Sequence, residues 1–150
     1  MRTRTLGRSE IQITPIVIGT WQVGKRMWVG IEDEESIRAI RAAVDAGITT
    51  IDTAEVYGEG HSERIVAQAL SPTRDQVVYA TKVFASNLKA EKEIEACDRS
   101  LKNLNTDYID LYQIHWPSNV ELSPEKLAKI SAIGQQVTDH LDDNPVMWEF

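Results

Sequence analysis

The stretch TTIDTAEVYGEGHSE, residues 49–63, combines three local patterns in one short span. It begins with an apolar run that ends at Asp52, which predicts a buried strand. A glycine-bearing loop that contains Tyr57 follows, and Ser62 then opens a segment whose apolar periodicity predicts a helix through about Leu70. The stretch therefore predicts one β/α unit, with an acid and a phenol at the carboxyl end of its strand.

The same alternation continues on both sides of this stretch. The predicted order is a hairpin over 3–13, strands over 15–20, 48–52, 76–84 and 107–116, and helices that begin near Asp33, Ser62 and Ala90. Asp33 is predicted to cap the first helix and Gly47 to end it, whereas 21–32 has no clear period and predicts a loop. Alternating strands and helices indicate the α/β class, with a parallel sheet and right-handed crossovers.

The last part of the chain, residues 118–150, does not continue this alternation. Ser123 and Pro124 are a favourable pair for the start of a helix. Apolar positions then recur on one face, at Leu127, Ile130, Ile133, Val137 and Leu141. We therefore predict a helical extension that ends in an apolar tail over 147–150.

Composition and charge limit the classes of function. The 150 residues include 16 basic and 23 acidic side chains, and a net charge of −7 argues against nucleic acid or an anionic membrane as the main partner. Cys97 is the only cysteine, so no disulfide forms within the chain and a reducing compartment is expected. No apolar run approaches the ~20 residues of a membrane span, and the N-terminus lacks the apolar core of a signal peptide. These features predict a cytoplasmic protein.

Four polar side chains are predicted at the carboxyl ends of consecutive strands: Asp52, Tyr57, Lys82 and His115. Sites in parallel α/β sheets form at these ends. Each residue alone has a structural explanation, as a turn cap, a packed tyrosine, a paired lysine or a core histidine. Because all four fall at one rim of one sheet, a shared site is the better hypothesis.

The four side-chain types form a chemically coherent set. A phenol has an ordinary pKa of about 10, and a nearby ammonium stabilises its phenolate. A carboxylate holds the ammonium in place, while a neutral imidazole can orient a carbonyl oxygen. The set supplies a proton and an oxyanion site but no nucleophile and no metal ligands. The matching reaction is delivery of hydride to a carbonyl from a reduced cofactor.

Three motifs together resemble those of the aldo-keto reductases: IDTAEVYGEGHSE, VVYATKVF and SLKNLNTDYIDLYQIHWP. GRSEIQITPIVIGTW, residues 7–21, is similar to the opening hairpin and first barrel strand of that family. The resemblance implies a (β/α)8 TIM barrel, with NADPH as hydride donor and a small-molecule aldehyde or ketone as substrate. It also implies a catalytic tetrad of Asp52, Tyr57, Lys82 and His115, in which Tyr57 is the general acid.

The resemblance implies roles for further residues. Thr20 and Trp21 match positions near the nicotinamide and join Asp52 as predicted cofactor contacts. Trp21, Phe84 and Trp116 are the predicted apolar wall of the substrate pocket. Trp28 is a weaker candidate, because its loop has no clear period.

The resemblance to the barrel covers only part of the family pattern. Residues 1–117 match its N-terminal half, with about four of the eight β/α units, and 118–150 match its C-terminal tail. Barrel strands five to eight, and the residues that hold the phosphates of the cofactor, are expected to be absent. Two hypotheses of function therefore stand: a carbonyl reductase, or a catalytically inactive fragment or interaction module. An open half barrel also has exposed edges, which predicts self-association of such a chain.

Overall fold

The computed structural model describes residues 1–117 and 123–140. The chain divides into two units, Met1–Ser118 and Asn119–Phe150. The predicted junction at 118–120 lies outside the described residues, and the assignment of 118–150 to the family's C-terminal tail stays a prediction.

The elements of the first unit follow the predicted order. They are β1 (Arg4–Thr5), β2 (Gln12–Ile13), β3 (Ile18–Gly19), α1 (Asp33–Asp45), β4 (Thr50–Asp52), α2 (His61–Leu70), β5 (Val78–Val83), α3 (Ala90–Leu104) and β6 (Leu111–Ile114). The predicted loop over 21–32 contains one short 3-10 helix, Gln22–Gly24. The observed strands are shorter than the predicted ones, because the apolar runs extend past the residues that pair in the sheet.

The strands form one hairpin and one parallel sheet. Strands β1 and β2 pair antiparallel, whereas β3, β4, β5 and β6 lie side by side in chain order and pair in parallel. Each parallel pair is joined through a crossover segment, and α1, α2 and α3 follow β3, β4 and β5 in turn. This is the arrangement of four successive strands of a (β/α)8 barrel, with the helices that follow the first three of them.

The core lies where the sheet meets its helices. Ile51 of β4 and Tyr79 of β5 are register partners, and both are fully buried. They belong to one hydrophobic cluster with Ile65 and Val66 of α2 and with Leu104 of α3. Burying one such side chain stabilises a fold by about 1.5–3 kcal/mol, so this cluster holds the strands against the helices. The opposite face of the sheet is left for polar groups.

The start of α1 differs from the prediction. Glu32 is the N-cap residue without a side-chain cap, and Asp33 is the first helical residue. The Asp33 carboxylate instead accepts from Lys25 Nζ and contacts His61 Nε2, both at 2.8 Å. The Lys25 hydrogen bond, aided by His61, holds the pKa of Asp33 below its ordinary value. The position of His61 next to the predicted start of the second helix indicates a surface residue, but the structure places it half-buried in a contact between segments. Gly47, with φ +90°, follows the end of α1 as predicted.

The start of α2 also differs in detail. Gly60, at φ +79°, is its N-cap residue, and the helix begins at His61 rather than at Ser62. The side chains of Ser62 and Glu63 are completely buried. Both therefore serve internal contacts rather than an exposed helix start.

The larger apolar residues of α3 recur at intervals of three and four, which predicts that they form its buried face: Ile94, Cys97, Leu101 and Leu104. Of these four, Leu104 alone is buried. Ile94 is 64% exposed and Cys97 is only half-buried. The buried positions are Ala96, Ser100 and Leu104, which recur every four residues. Small side chains let a helix approach its neighbours closely, so a serine occupies a position that an apolar pattern does not mark.

The second unit contributes α4 (Pro124–His140). The Lys126 N–H donates to Ser123 Oγ at 3.4 Å, in the manner of the predicted N-cap. Leu127, Ile130 and Ile133 are exposed. Leu141 and the apolar tail over 147–150 lie outside the described residues. Within the described residues, no helix has the length and apolar character needed to cross a membrane.

Tyr79 offers a test of the core. Its side chain is buried, its hydroxyl has no hydrogen-bond partner among the described residues, and burial raises its pKa to about 12. The folded chain holds the Tyr79 proton more tightly than the unfolded chain does. The contribution of Tyr79 to stability is therefore complete below pH ~10 and is lost as pH rises through ~12. We expect Tyr79→Phe to change the free energy of unfolding by less than about 1 kcal/mol at neutral pH and to weaken its alkaline decline. Urea denaturation at pH ~8 and ~11 measures both, and an equal decline in the two proteins would contradict the assignment.

Candidate active site

The alternation of side chains along each strand places three of the predicted tetrad residues on one face of the sheet. Asp52, the last residue of β4, pairs with Ala80 of β5, and Lys82 follows two residues later on the same face. Lys82 in turn pairs with Gln113 of β6, and His115 follows Gln113 by two residues. The His115 N–H donates to the Val83 carbonyl at 3.0 Å, which extends the pairing beyond β6.

Lys82 lies at the centre of this group. Its Nζ donates to Asp52 Oδ1 at 2.5 Å and to the Thr53 carbonyl at 2.8 Å. The same Nζ lies 3.5 Å from Tyr57 Oη. The lysine side chain is only 13% exposed, so its charge is screened weakly and is balanced by the Asp52 carboxylate. An ammonium therefore lies against the Tyr57 hydroxyl, as the tetrad hypothesis requires.

His115 closes the group on the other side of Tyr57. The two rings are 5.4 Å apart between centroids and nearly perpendicular, at 83°. Burial, together with the Lys82 ammonium, lowers the pKa of His115 below its ordinary value of 6.5. Its Nδ1 is buried and has no partner among the described residues. The imidazole is therefore neutral at neutral pH and can act as one donor and one acceptor.

The lowered pKa of His115 has a measurable consequence. Protonation is harder in the folded chain than in the unfolded chain, so this histidine's contribution to stability is complete above pH ~6.5 and is lost as pH falls below that value. We expect the imidazole C–H resonance that disappears in His115→Asn to titrate in the wild-type chain with a midpoint below 6.5. An NMR titration measures this directly, and a midpoint at or above 6.5 would show that the ring is not desolvated as described.

An aromatic cavity of about 450 Å³ opens beside Tyr57 and His115. The predicted pocket residues Trp21, Phe84 and Trp116 all line it, and so does Trp28. Trp21 and Trp28 make an edge-to-face contact, with centroids 5.4 Å apart at 89°. Their contact with a substrate stays a prediction, but the cavity has the apolar wall that an organic carbonyl compound needs.

Sequence reasoning missed part of this lining. Arg26, Met27 and Val56 also face the cavity. Gly24 and Gly58 bring the two loops together: a Cβ on Gly58 would lie 2.2 Å from the Gly24 carbonyl oxygen. The signal available in the sequence was two glycines in two loops, but nothing in the pattern indicates that they meet.

Thr20, a predicted cofactor contact, is buried behind the site. Its hydroxyl donates to the Asp52 carbonyl at 3.0 Å and accepts from Ser62 Oγ at 2.8 Å. Thr53 donates to the same Ser62 oxygen at 3.1 Å. Burial and these bonds favour support of the Asp52 backbone over direct contact with a ligand. A cofactor contact by Thr20 stays a prediction.

Glu63 forms a second internal contact that the sequence did not mark. Its carboxylate is fully buried and accepts from the Thr81 hydroxyl at 2.7 Å and from Asn103 Nδ2 at 2.9 Å. Thr81 immediately precedes Lys82 in β5. Helix α2 is thus bonded to the strand that carries the central lysine.

Comparison with known proteins decides the family. A family model described as the Aldo/keto reductase family matches residues 15–135, which include all four tetrad residues. This chain belongs to the aldo/keto reductase family. The resemblance of its motifs to that family is thereby confirmed.

Relatives of this aldo/keto reductase chain include bacterial enzymes. The chain is 43% identical over 127 residues to aldo-keto reductase YhdN of Bacillus subtilis, covering 78% of this chain and 38% of the relative. It is 35% identical over 126 residues to methylglyoxal reductase YeaE of Escherichia coli, covering 84% and 43%. The chain thus spans about two-fifths of the length of these relatives.

A solved structure confirms the fold class. The aldo-keto reductase of Klebsiella pneumoniae, determined in complex with NADPH, matches this chain with a TM-score of 0.67 and 34% identity. The match covers 83% of this aldo/keto reductase chain and 43% of the other. The four-stranded parallel sheet is therefore a partial (β/α)8 barrel.

Proposed function

We propose that this aldo/keto reductase chain carries the proton-donating side of an NADPH-dependent carbonyl reduction. One observation carries the proposal: Lys82 Nζ contacts Asp52 and lies 3.5 Å from the Tyr57 hydroxyl, at an aromatic cavity that Tyr57 and His115 line. An acid, an ammonium and an imidazole are thereby gathered where an organic carbonyl group can enter.

Each member of the tetrad has a distinct part in the proposal. Tyr57 Oη donates the proton that the carbonyl oxygen needs as it becomes an alcohol. Lys82 stabilises the negative charge left on the phenolate, and Asp52 fixes the ammonium. Neutral His115 donates a hydrogen bond that orients the carbonyl oxygen beside Tyr57. The aromatic wall excludes water from the reacting group.

The described residues fit the reacting end of a nicotinamide cofactor. A buried imidazole nitrogen without a partner and an open apolar cavity beside the acid leave both a polar group and space unused. Trp21 and Asp52 are the proposed contacts, with Thr20 supporting Asp52 from behind. When bound, a reduced nicotinamide supplies the hydride for the carbonyl carbon. We assign none of the described residues to the cofactor's phosphates.

The cavity favours an aldehyde or ketone with an apolar or aromatic body. Four aromatic side chains, Trp21, Trp28, Phe84 and Trp116, line it beside the tetrad, and its volume suits a small molecule. Methylglyoxal, the compound in the name of the Escherichia coli relative, is a smaller test substrate of the same carbonyl class.

The experiment is to follow the absorbance of NADPH when a panel of aldehydes is added to the purified chain. Aldehyde-dependent loss of NADPH that disappears in Tyr57→Phe would support the proposal. Consumption of NADPH at the same rate in both proteins would remove the role of Tyr57.

The second candidate is an inactive fragment or interaction module. Its motivation is that the match spans only 38% of the Bacillus subtilis relative. A correctly folded chain that binds no NADPH and reduces no aldehyde would favour this candidate. Self-association through the sheet edges β3 and β6, the outer strands of the described sheet, is a related proposal. Sedimentation at high concentration tests it, and a strictly monomeric chain would exclude it.

A further inference from the structure

The Glu55 carboxylate connects three segments of the chain at the edge of the site. Its side chain is only 10% exposed. Oε1 accepts from the Phe84 N–H at 2.8 Å and from Asn87 Nδ2 at 2.9 Å. Oε2 accepts from Arg99 of α3 at 3.3 Å. The Glu55 N–H also donates to the Lys82 carbonyl, at 3.4 Å. This acid therefore bonds the loop after β4 to both the segment after β5 and helix α3.

The position of Glu55 in the chain makes these bonds relevant to the tetrad. Glu55 lies two residues before Tyr57, and Phe84 lies two residues after Lys82. The Glu55 carboxylate therefore fixes the segment that carries Tyr57 against the segment that carries Lys82. The distance it controls, 3.5 Å from Lys82 Nζ to Tyr57 Oη, is at the outer limit of a hydrogen bond. A small displacement of either segment would break this contact.

The same carboxylate controls one wall of the cavity. Phe84, held by its backbone N–H, has its ring 6.1 Å from that of His115 and 6.4 Å from that of Trp116. Since His115 also packs against Tyr57, a displacement of Phe84 would disturb His115 and, through it, Tyr57. Glu55 therefore lies in the loop that carries Tyr57 and is also hydrogen-bonded to Phe84, which packs against His115.

We infer that Glu55 is a positioning residue, whose hydrogen bonds to Phe84 and Asn87 hold Tyr57 and His115 in the relative position that carbonyl reduction needs. The inference rests on the proposed function, in which Tyr57 and His115 act on the same carbonyl oxygen. The ion pair with Arg99 is secondary, because Arg99 is 52% exposed and such pairs contribute little. The hydrogen-bond acceptor Oε1 is the feature that matters.

Three variants separate the acceptor from the charge. Glu55→Ala removes the acceptor, Glu55→Gln keeps an oxygen for Phe84 and Asn87, and Arg99→Ala removes only the outer partner. In Glu55→Ala we expect amide hydrogen exchange at Phe84 to accelerate about 10-fold or more, and the ring resonances of Tyr57 and His115 to shift. Glu55→Gln and Arg99→Ala are expected to stay close to the wild-type spectra.

If the ring resonances of Tyr57 and His115 stay in place in Glu55→Ala and only the Phe84 amide responds, Glu55 has a purely local structural role. That result would overturn the inference. Glu55→Gln spectra as disturbed as those of Glu55→Ala would overturn its hydrogen-bond basis. Should Glu55→Ala fail to fold, Asn87→Ala decides, with smaller ring shifts in the same direction expected and unchanged rings contradicting the inference.

Kinetics give an independent readout in the same proteins. We expect Glu55→Ala to lower kcat by about 10- to 100-fold with a smaller change in KM, and Glu55→Gln to restore most of it. A wild-type chain without aldehyde reduction would count against the proposed function, while the ring resonances would still decide the position of Glu55. The two failures are therefore distinguishable.

Discussion

Replacing Tyr57 with phenylalanine is expected to lower kcat/KM for aldehyde reduction by about 10²- to 10⁴-fold, the usual contribution of a positioned acid. The substitution removes only the hydroxyl that lies 3.5 Å from Lys82 Nζ. The ring stays, and with it the edge-to-face contact with His115 at 5.4 Å. The loss should therefore fall on the chemical step and not on the fold. Initial rates of NADPH consumption over a range of aldehyde concentrations measure it.

Tyr108→Phe is the matched control. Tyr108 is exposed, its ring lies 3.8 Å from the Arg74 guanidinium, and it is not among the residues that line the aromatic cavity. We expect its loss of a hydroxyl to leave kcat/KM within about twofold of the wild-type value. Equal losses in the two variants would mean that the effect of Tyr57→Phe is not specific to the tetrad.

Replacing Gly58 with alanine is expected to destabilise the first unit by about 2–5 kcal/mol, from left-handed backbone strain together with overpacking. The added Cβ would lie 2.2 Å from the Gly24 carbonyl oxygen, and φ at Gly58 is +61°. The neighbour is backbone, so no side-chain rotation relieves the clash. Urea denaturation followed by tryptophan fluorescence measures the loss, because Trp21 and Trp28 belong to the loop that would move.

Gly7→Ala separates strain from clash. Gly7 has a similar φ of +55°, but nothing lies within 4 Å of the position of its Cβ. We expect this control to lose about 1–2 kcal/mol, the cost of the backbone conformation alone. Comparable losses in both variants would show that the close approach of Gly24 and Gly58 adds nothing to stability.

The convergence of Asp52, Lys82 and His115 could be predicted from the sequence because these residues follow short-range rules. Asp52 and Lys82 fall at the ends of apolar runs, and the period of two along a strand places Asp52, Lys82 and His115 on the same face. Parallel pairing in chain order then brings them together. The order of strands and helices followed from the same local patterns.

The other contacts depend on residues far apart in the chain. Asp33 carries the signal of a helix cap, but its carboxylate instead contacts Lys25 and, 28 positions later, His61. Ser100 is polar, but the close approach of α3 to its neighbours buries it. The sequence does not distinguish Glu55 from other acidic loop residues, because its hydrogen-bond partner Phe84 lies 29 positions later. Local periodicity contains no information about such pairs.

The most direct test of the central claim is transfer of deuterium from NADPH labelled at the reactive nicotinamide carbon to an aldehyde, with the alcohol analysed by mass spectrometry. We expect the purified chain to yield an alcohol that carries deuterium at the former carbonyl carbon, and Tyr57→Phe to yield far less over the same time. A folded wild-type chain that forms no deuterated alcohol, or a variant that forms as much as the wild type, would contradict the claim that this tetrad donates the proton in carbonyl reduction.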